Sequence, residues 1–226
     1  MKINELMKKA FTFKLNHPKE KKALIVYGGE DHNPEEVANF IAGILREEHF
    51  SVQQSNSLNS FLDLGKLKRY DLIILLMTRG TITREQLTSL LEAVKGGVGF
   101  VGIHQTVGAF RAEIEFHHMI GGQFLAHPGG ANVTYRVHIT DQEHSITKGI
   151  EDFNVTTEKY YMLIDPVNKI LADTYFDDEK VNMPVVWTKN YGTGNIFYCS
   201  LGHTLDILKL PQVMTLLRRG MSWAAR

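Results

Sequence analysis

Four loops that follow apolar runs carry an imidazole or a guanidinium: His32 after ALIVYGG, Arg79 after LIILLMT, His104 after GFVGI and His203 after IFYCSLG. Imidazoles gathered at one place offer two chemistries near neutral pH, proton transfer and ligation of a divalent metal. A carboxylate would complete either one, and Glu158 in TTEKYYM is the candidate, with Tyr160 and Tyr161 beside it. The sharpest local signal is residues 96–110, GGVGFVGIHQTVGAF, where Val98, Phe100, Val101 and Ile103 read as a buried strand that stops at His104 before a helical segment over residues 111–120. A strand, a sharp turn and a helix lift one side chain clear of the sheet edge. A nucleophilic hydrolase would place Ser or Cys there, so an imidazole points instead to a ligand or an acid/base group.

Positioning such groups requires strands that end together, and the pattern supplies them. Residues 23–27 form an apolar run that breaks into the loop GGEDHN, in which Gly29 lets the chain approach a ligand closely. Asn33 is placed to cap a helix with Pro34 at its first position, and Val37, Phe40, Ile41, Ile44 and Leu45 recur at helical spacing. A short strand follows over residues 50–54, residues 58–67 cover an edge, and residues 71–77 are a second fully apolar strand ending at Thr78-Arg79-Gly80. Thr83 with Gln86 predicts a capping box for a helix carrying Leu87, Leu90, Leu91 and Val94, which Gly96-Gly97 closes. The order β-α-β-β-α-β-α is that of an α/β doubly wound, mostly parallel sheet with helices on both faces.

After Gly121-Gly122 the pattern changes. Val133, Tyr135, Val137 and Ile139 alternate with more polar residues, and further strands are expected around residues 154–157, 169–174, 184–188 and 195–201, antiparallel and added at one side. The segment NYGTG is a hairpin turn between VVWTK and IFYCSLG, and Pro211 opens a closing helix through Val213, Leu216, Leu217 and Trp223. Residues 1–20 read as a loosely attached, charged arm and residues 21–226 as a single domain, without internal repeats.

Lys+Arg and Asp+Glu both number 25, so no broad basic field is available for phosphate backbones and nucleic acid is not expected as a partner. A single cysteine, Cys199, excludes an intramolecular disulfide and fits a reducing compartment. The first residues lack the apolar run of a secretory signal, and no run approaches membrane-spanning length; a cytoplasmic protein with no membrane partner is expected.

Each candidate has a plainer reading. Arg79 can be a solvated side chain, and Cys199 lies mid-strand with no turn to expose it, as a buried inert thiol would. His117 and His118 sit in a helix beside Phe116 and Met119, where at least one must face outward; His127 in AHPGG is a loop residue able to rim a pocket; His138 alternates with apolar residues on the outer face of a strand. On pattern alone, the segment around Glu158 reads as a strand with an exposed Glu and half-buried Tyr160 and Tyr161.

Taken together, GGEDHN, GFVGIHQTVGAF, MIGGQFLAHP, HSITKGIEDFNVTTEKYYM, MPVVWTKNYGTGNIFYCSLGHT and RRGMSWAA resemble the ThuA-like (trehalose utilisation) family, a branch of the class I glutamine-amidotransferase-like fold, over most of residues 23–226. The resemblance implies a flavodoxin-like three-layer core, a sugar-catabolic context and a histidine-lined pocket in which His32, His104, Glu158, Tyr160 and His203 are the matching polar positions. The related amidotransferases carry a nucleophilic cysteine at the elbow, where this chain has His104, so thioester chemistry is not available there. His203 falls where their general base would lie, and Gln105 and Thr106 stand where many ThuA-like chains have Gly-Ala.

The leading expectation is a carbohydrate-metabolism enzyme acting on a sugar or keto-sugar by hydrolysis, elimination or isomerisation. His104, His203 and Glu158 are its expected catalytic groups, and His32, Tyr160, Arg79 and Gly29 contact the substrate. His32, His104, Glu158 and His203 form the candidate set for a divalent metal such as zinc; no nucleotide cofactor is expected. The alternative is a non-catalytic sugar-binding or regulatory module, and a third reading is an amidase using Cys199. The expected partner is a small carbohydrate, and exposed edges of the added strands leave room for a homodimer.

Overall fold

Burial with a period of two builds the sheet. In β1 (Lys21–Gly28), Ala23 and Ile25 face one layer of core while Leu24 and Val26 face the other, and all four are essentially inaccessible. β3 (Leu72–Met77) repeats this with Leu72, Ile74 and Leu76 against Ile73, Leu75 and Met77. A strand buried on both faces has no polar alternation, as a parallel sheet between two helical layers requires. The computed structural model describes residues 20–226, so the expected N-terminal arm over residues 1–20 lies outside the described residues except for Glu20.

Between these strands the chain runs through α1 (Pro34–Glu47), β2 (Phe50–Ser55) and α2 (Leu64–Leu67). After β3 come α3 (Arg84–Lys95), β4 (Gly99–Ile103), α4 (Ile114–Ile120), β5 (Gly122–Ala126), β6 (Val133–Ile139), β7 (Phe153–Thr157), β8 (Tyr161–Ile164), β9 (Lys169–Phe176), β10 (Val181–Tyr191) and β11 (Gly194–Cys199). α5 (Leu205–Leu208) and α6 (Pro211–Ala224) close the chain. One sheet has the order β2-β1-β3-β4-β11-β10-β9-β6-β7. Its first five strands are parallel and follow the flavodoxin-like order, while β10, β9, β6 and β7 continue it antiparallel. Val37, Ile41 and Leu45 of α1 and Val213, Leu216 and Leu217 of α6 pack on one face. Leu87, Leu90 and Val94 of α3 and Phe116 and Met119 of α4 pack on the other, giving three layers. No helix among the described residues is long and apolar enough to cross a membrane.

The expected capping box of α3 is present, with Thr83 Oγ1 accepting from the Gln86 amide at 3.2 Å and Gln86 Oε1 accepting from the Thr83 amide at 3.0 Å. Three expectations are corrected. Asn33 makes no side-chain cap for α1: its backbone is left-handed at φ 46°, where a capping residue is ordinarily extended. The helix expected over residues 111–120 is confined to Ile114–Ile120, since a 3₁₀ turn over His104–Gly108 and a loop use the residues before it. β11, expected among the added antiparallel strands, pairs parallel with β4 through Ile196–Phe100 to Cys199–Ile103 and is the fifth strand of the parallel core. β5, which the pattern did not announce, pairs with β8 as a separate two-stranded ribbon, and His127 follows it in the expected loop.

The parallel core sets where a ligand goes. Crossovers leave β1 and β3 in opposite directions, so their carboxyl ends border an open crevice. His32 follows β1, Thr78 follows β3, His104 follows β4 and His203 follows β11, all on that edge.

Candidate functional site

Backbone strain collects at these strand ends. His32 (φ 69°), Asn33 (φ 46°), Arg79 (φ 58°) and His104 (φ 50°) are all left-handed without being glycine, a conformation that persists only where the surroundings enforce it. At His104 the enforcing groups are visible. The Thr106 hydroxyl donates to the Leu75 carbonyl at 2.6 Å and accepts from the Ile103 amide at 3.1 Å, and Tyr198 Oη donates to the His104 carbonyl at 2.7 Å. Gly202 completes the turn. A Cβ there would stand 3.0 Å from the Ile103 side chain and 3.2 Å from His104 Cβ, so only glycine lets the His203 loop close on the elbow.

The result is a cluster of three imidazoles around one carboxylate. Ring centroids of His32 and His104 lie 4.8 Å apart, His32 and His203 5.0 Å, and His104 and His203 5.5 Å, all edge-to-face. One ligand atom from each of His32, His104, Glu158 and His203 lies within 4.8 Å of all the others. Glu158 Oε2 is 3.2 Å from His104 Nε2, and Glu158 Oε1 is 3.4 Å from His203 Nδ1. Neither contact is aligned as a hydrogen bond: Glu158 Oε2 and His203 Nδ1 are both buried without a partner.

Glu158 is 7% exposed, not the exposed strand residue that its pattern suggested. It lies in the loop between β7 and β8, with His127, which follows β5, 3.9 Å from its Oε1. Tyr160, 3% exposed, stacks on the His104 ring at 4.7 Å and places its hydroxyl 2.9 Å from Nε2.

His104 Nδ1 stands 2.8 Å from the Ser200 carbonyl, which can only accept, so Nδ1 carries the proton and Nε2 offers a lone pair to the pocket. His32 Nδ1 pairs with Thr78 Oγ1 at 3.2 Å. Burial holds His104 below the ordinary imidazole range and, with the nearby charges of His104 and His203, lowers His32 to about 4. Burial alone would raise Glu158, but the imidazoles of His104, His203 and His127 outweigh it and hold the carboxyl at about 2. At neutral pH the cluster is therefore an ionised, buried carboxylate facing neutral His104 and His32.

Not every expected residue joins the cluster. Arg79 is at the same edge, but its side chain is largely exposed and stands 4.0 Å from Asp31. Gly29 (φ 93°) packs on the Thr78 backbone and lines a neighbouring hollow with Tyr27 and Asn39. Cys199 is fully buried at the end of β11. His117 is buried with Nδ1 on the Gly122 carbonyl at 3.1 Å, His118 is exposed, and exposed His138 pairs with Asp173 at 3.4 Å.

His127 stands 3.9 Å from Glu158 Oε1 at the mouth, beside Phe124, whose ring meets Tyr160 edge-on at 4.8 Å. Sequence reasoning left His127 as a rim residue and did not find Thr78, Thr106, Ser200 or Tyr198. Ser200 acts through its carbonyl and leaves no side-chain signal; Thr78, immediately before Arg79 in a strand-end loop, carried one. A cavity of about 30 Å³ lies under His32 and His104 against Leu76 and Ile103, and a hollow of about 300 Å³ opens beyond His32 and His203.

Among solved structures, a ThuA-like protein from Parabacteroides merdae is 23% identical with a TM-score of 0.74, over 91% of this chain and 90% of that one. A ThuA-like protein from Bacteroides uniformis is 19% identical with a TM-score of 0.76, over 94% and 95%. A glutamine amidotransferase from Thermotoga maritima shares 14% identity with a TM-score of 0.51, over 80% and 75%. No curated protein matches the sequence. The three-layer fold is common to all three structures, and the family model described as ThuA, trehalose utilisation, matches residues 22–224. The chain belongs to the ThuA family.

Proposed function

We propose that the chain is an enzyme of carbohydrate metabolism that acts on a sugar or keto-sugar by hydrolysis, elimination or isomerisation, at a histidine–glutamate site that holds a divalent metal. The observation that carries the reading is Glu158, a buried carboxylate with an oxygen left unpartnered among the described residues, facing the imidazoles of His32, His104 and His203. A buried charge is stable when paired or when it coordinates a metal. Three imidazoles and a carboxylate are a donor set suited to zinc, and these four residues would hold it. When bound, the metal supplies a Lewis acid for a carbonyl or an activated water.

The chain's own groups would do the rest. The Ser200 carbonyl keeps the His104 proton on Nδ1 and so presents Nε2 to the pocket. The Tyr160 hydroxyl, buried beside that lone pair, is a donor for a sugar hydroxyl or carbonyl oxygen, and Phe124 offers an apolar face next to it. His127 at the mouth is placed to contact the part of the substrate nearer solvent. Cys199 has no part in this reaction; as the chain's single cysteine it supports a reducing compartment, the cytoplasm.

Metal content by mass spectrometry, on wild type and on His104→Ala and Glu158→Ala variants, tests the site, followed by NMR turnover assays with sugars and keto-sugars. Near-stoichiometric zinc that is lost in both variants, with turnover lost alongside, is the expected result. Turnover that persists in both variants would refute the assignment. A second reading, a sugar-binding or regulatory module without chemistry, is favoured by the 3% exposure of His104, which leaves little of its ring open to a substrate. Saturable sugar binding with no product in metal-loaded protein would select it.

A further inference from the structure

No aligned hydrogen bond from the described residues grips the Glu158 carboxylate: its oxygens stand near imidazoles, and Oε2 is buried without a partner. A flexible side chain on the short loop between β7 and β8 must then take its place from the backbone that carries it. That backbone is held twice. Tyr135 Oη donates to the Glu158 carbonyl at 3.0 Å. Lys159, between two residues that face the site, reaches β9 instead, where its ammonium donates to the Tyr175 carbonyl and lies 4.2 Å from the centre of the Phe176 ring.

Tyr135 stands on the buried face of β6 with Val137 and Ile139, opposite Val155 of β7. A phenyl ring would fill that face as well. The hydroxyl, buried, costs free energy unless it is bonded, and the bond it makes is to the main chain of a candidate metal ligand. Burial holds the phenol above its ordinary range, so it stays protonated and donates. The same device stands at His104, whose carbonyl accepts from Tyr198 Oη at 2.7 Å. Two tyrosines on two strands thus each fix the main chain of one member of the cluster, and groups behind a ligand set how well it meets a metal.

We infer that Tyr135 is the positioning residue of Glu158: it fixes the carboxylate through the main chain, with Lys159 as a second clamp on the same loop. The inference rests on the metal-site reading of the cluster. The test measures zinc affinity by chelator competition, and melting temperature without metal, on the full chain as wild type, Tyr135→Phe, Lys159→Met and Val137→Ala. Tyr135→Phe should bind zinc at least about tenfold more weakly, as when a partner behind a ligand is removed. Val137→Ala, a truncation on the same buried face of β6, should melt lower yet hold zinc within about twofold of wild type. Equal zinc affinity in wild type and Tyr135→Phe would overturn the inference and leave the metal-site reading standing. So would a loss in Val137→Ala as large as that in Tyr135→Phe, since any damage to the strand would then suffice. Should Tyr135→Phe fail to fold, Lys159→Met decides: zinc weakened several-fold supports the inference, and zinc held as in wild type overturns it. Wild type that binds no zinc would overturn the metal-site reading and the inference with it.

Discussion

The Nδ1 proton of His104 is donated to the carbonyl oxygen of Ser200 across 2.8 Å, and this bond decides which nitrogen faces the pocket. Nε2 is left with a lone pair, which the Tyr160 hydroxyl meets at 2.9 Å. A metal and Tyr160 would compete for that lone pair. Tyr160→Phe should therefore leave zinc affinity unchanged or raise it up to about tenfold, because one competing hydrogen bond is removed. His104→Ala should lower it by about a hundredfold or more, since a ligand is lost outright. Chelator competition on both variants reads the difference. If Tyr160→Phe weakened zinc as much as His104→Ala, Tyr160 would be a ligand or a prop, and the tautomer assignment would fail.

Acid should destabilise the metal-free protein in two steps. His32 has its pKa lowered from 6.5 to about 4, by burial first and then by charge on His104 and His203. Between those values the unfolded chain binds a proton that the folded chain refuses, so stability is full above 6.5 and falls as the pH drops toward 4. Glu158, at about 2 instead of 4.5, adds a contribution that is present above 4.5 and lost toward 2. His32 is only half-buried, so solvent screening limits its share to about 1–2 kcal/mol. Urea midpoints from pH 7 to 4 should fall in wild type and fall less in His32→Gln. Parallel slopes for the two would show that His32 does not report the change.

Cys199 should be silent toward thiol reagents. Burial pushes its thiol up to about 12, and no part of the residue is accessible in β11. Ellman's reagent near pH 8 should find no reactive thiol in the native chain and one per chain after denaturation in guanidinium chloride. Stoichiometric labelling of native protein, with activity lost in step, would revive the amidase reading.

How much of this was legible in the sequence follows from which contacts are local. His32, His104 and His203 could be placed because each ends an apolar run beside glycine, and a parallel sheet brings such ends to one edge. Glu158 could not be placed as buried. Its neighbours come from distant segments, His104, His127 and His203, and β5, which precedes His127, hides in GQFLA, where Phe124 packs toward Tyr160 and Leu125 is exposed, with too few residues to show a period. The parallel pairing of β11 with β4 spans nearly a hundred residues of chain, and nothing in IFYCSLG distinguishes it from a strand of the added antiparallel group. Asn33 misled because its residue type suits a cap while its position needs a left-handed backbone, which Asn also tolerates.

The elbow itself gives the last prediction. His104 keeps a left-handed backbone at φ 50°, which costs about 1–2 kcal/mol for a residue with a side chain. Thr106 offsets that cost from within the turn: its hydroxyl, fully buried, joins the Leu75 carbonyl at 2.6 Å to the Ile103 amide at 3.1 Å. Thr106→Val keeps the shape and removes the hydroxyl, leaving both backbone groups buried and unpaired, at about 1–3 kcal/mol. Its melting temperature should drop, and zinc affinity should drop with it, because Nε2 of His104 is aimed by this turn. Thr106→Ser keeps the hydroxyl and should recover most of the zinc affinity while still losing the packing of the methyl group. If Thr106→Val lost stability but held zinc as tightly as wild type, the hydroxyl would support the fold without aiming His104, and the Tyr198 bond to the His104 carbonyl at 2.7 Å would be enough to hold the imidazole in place.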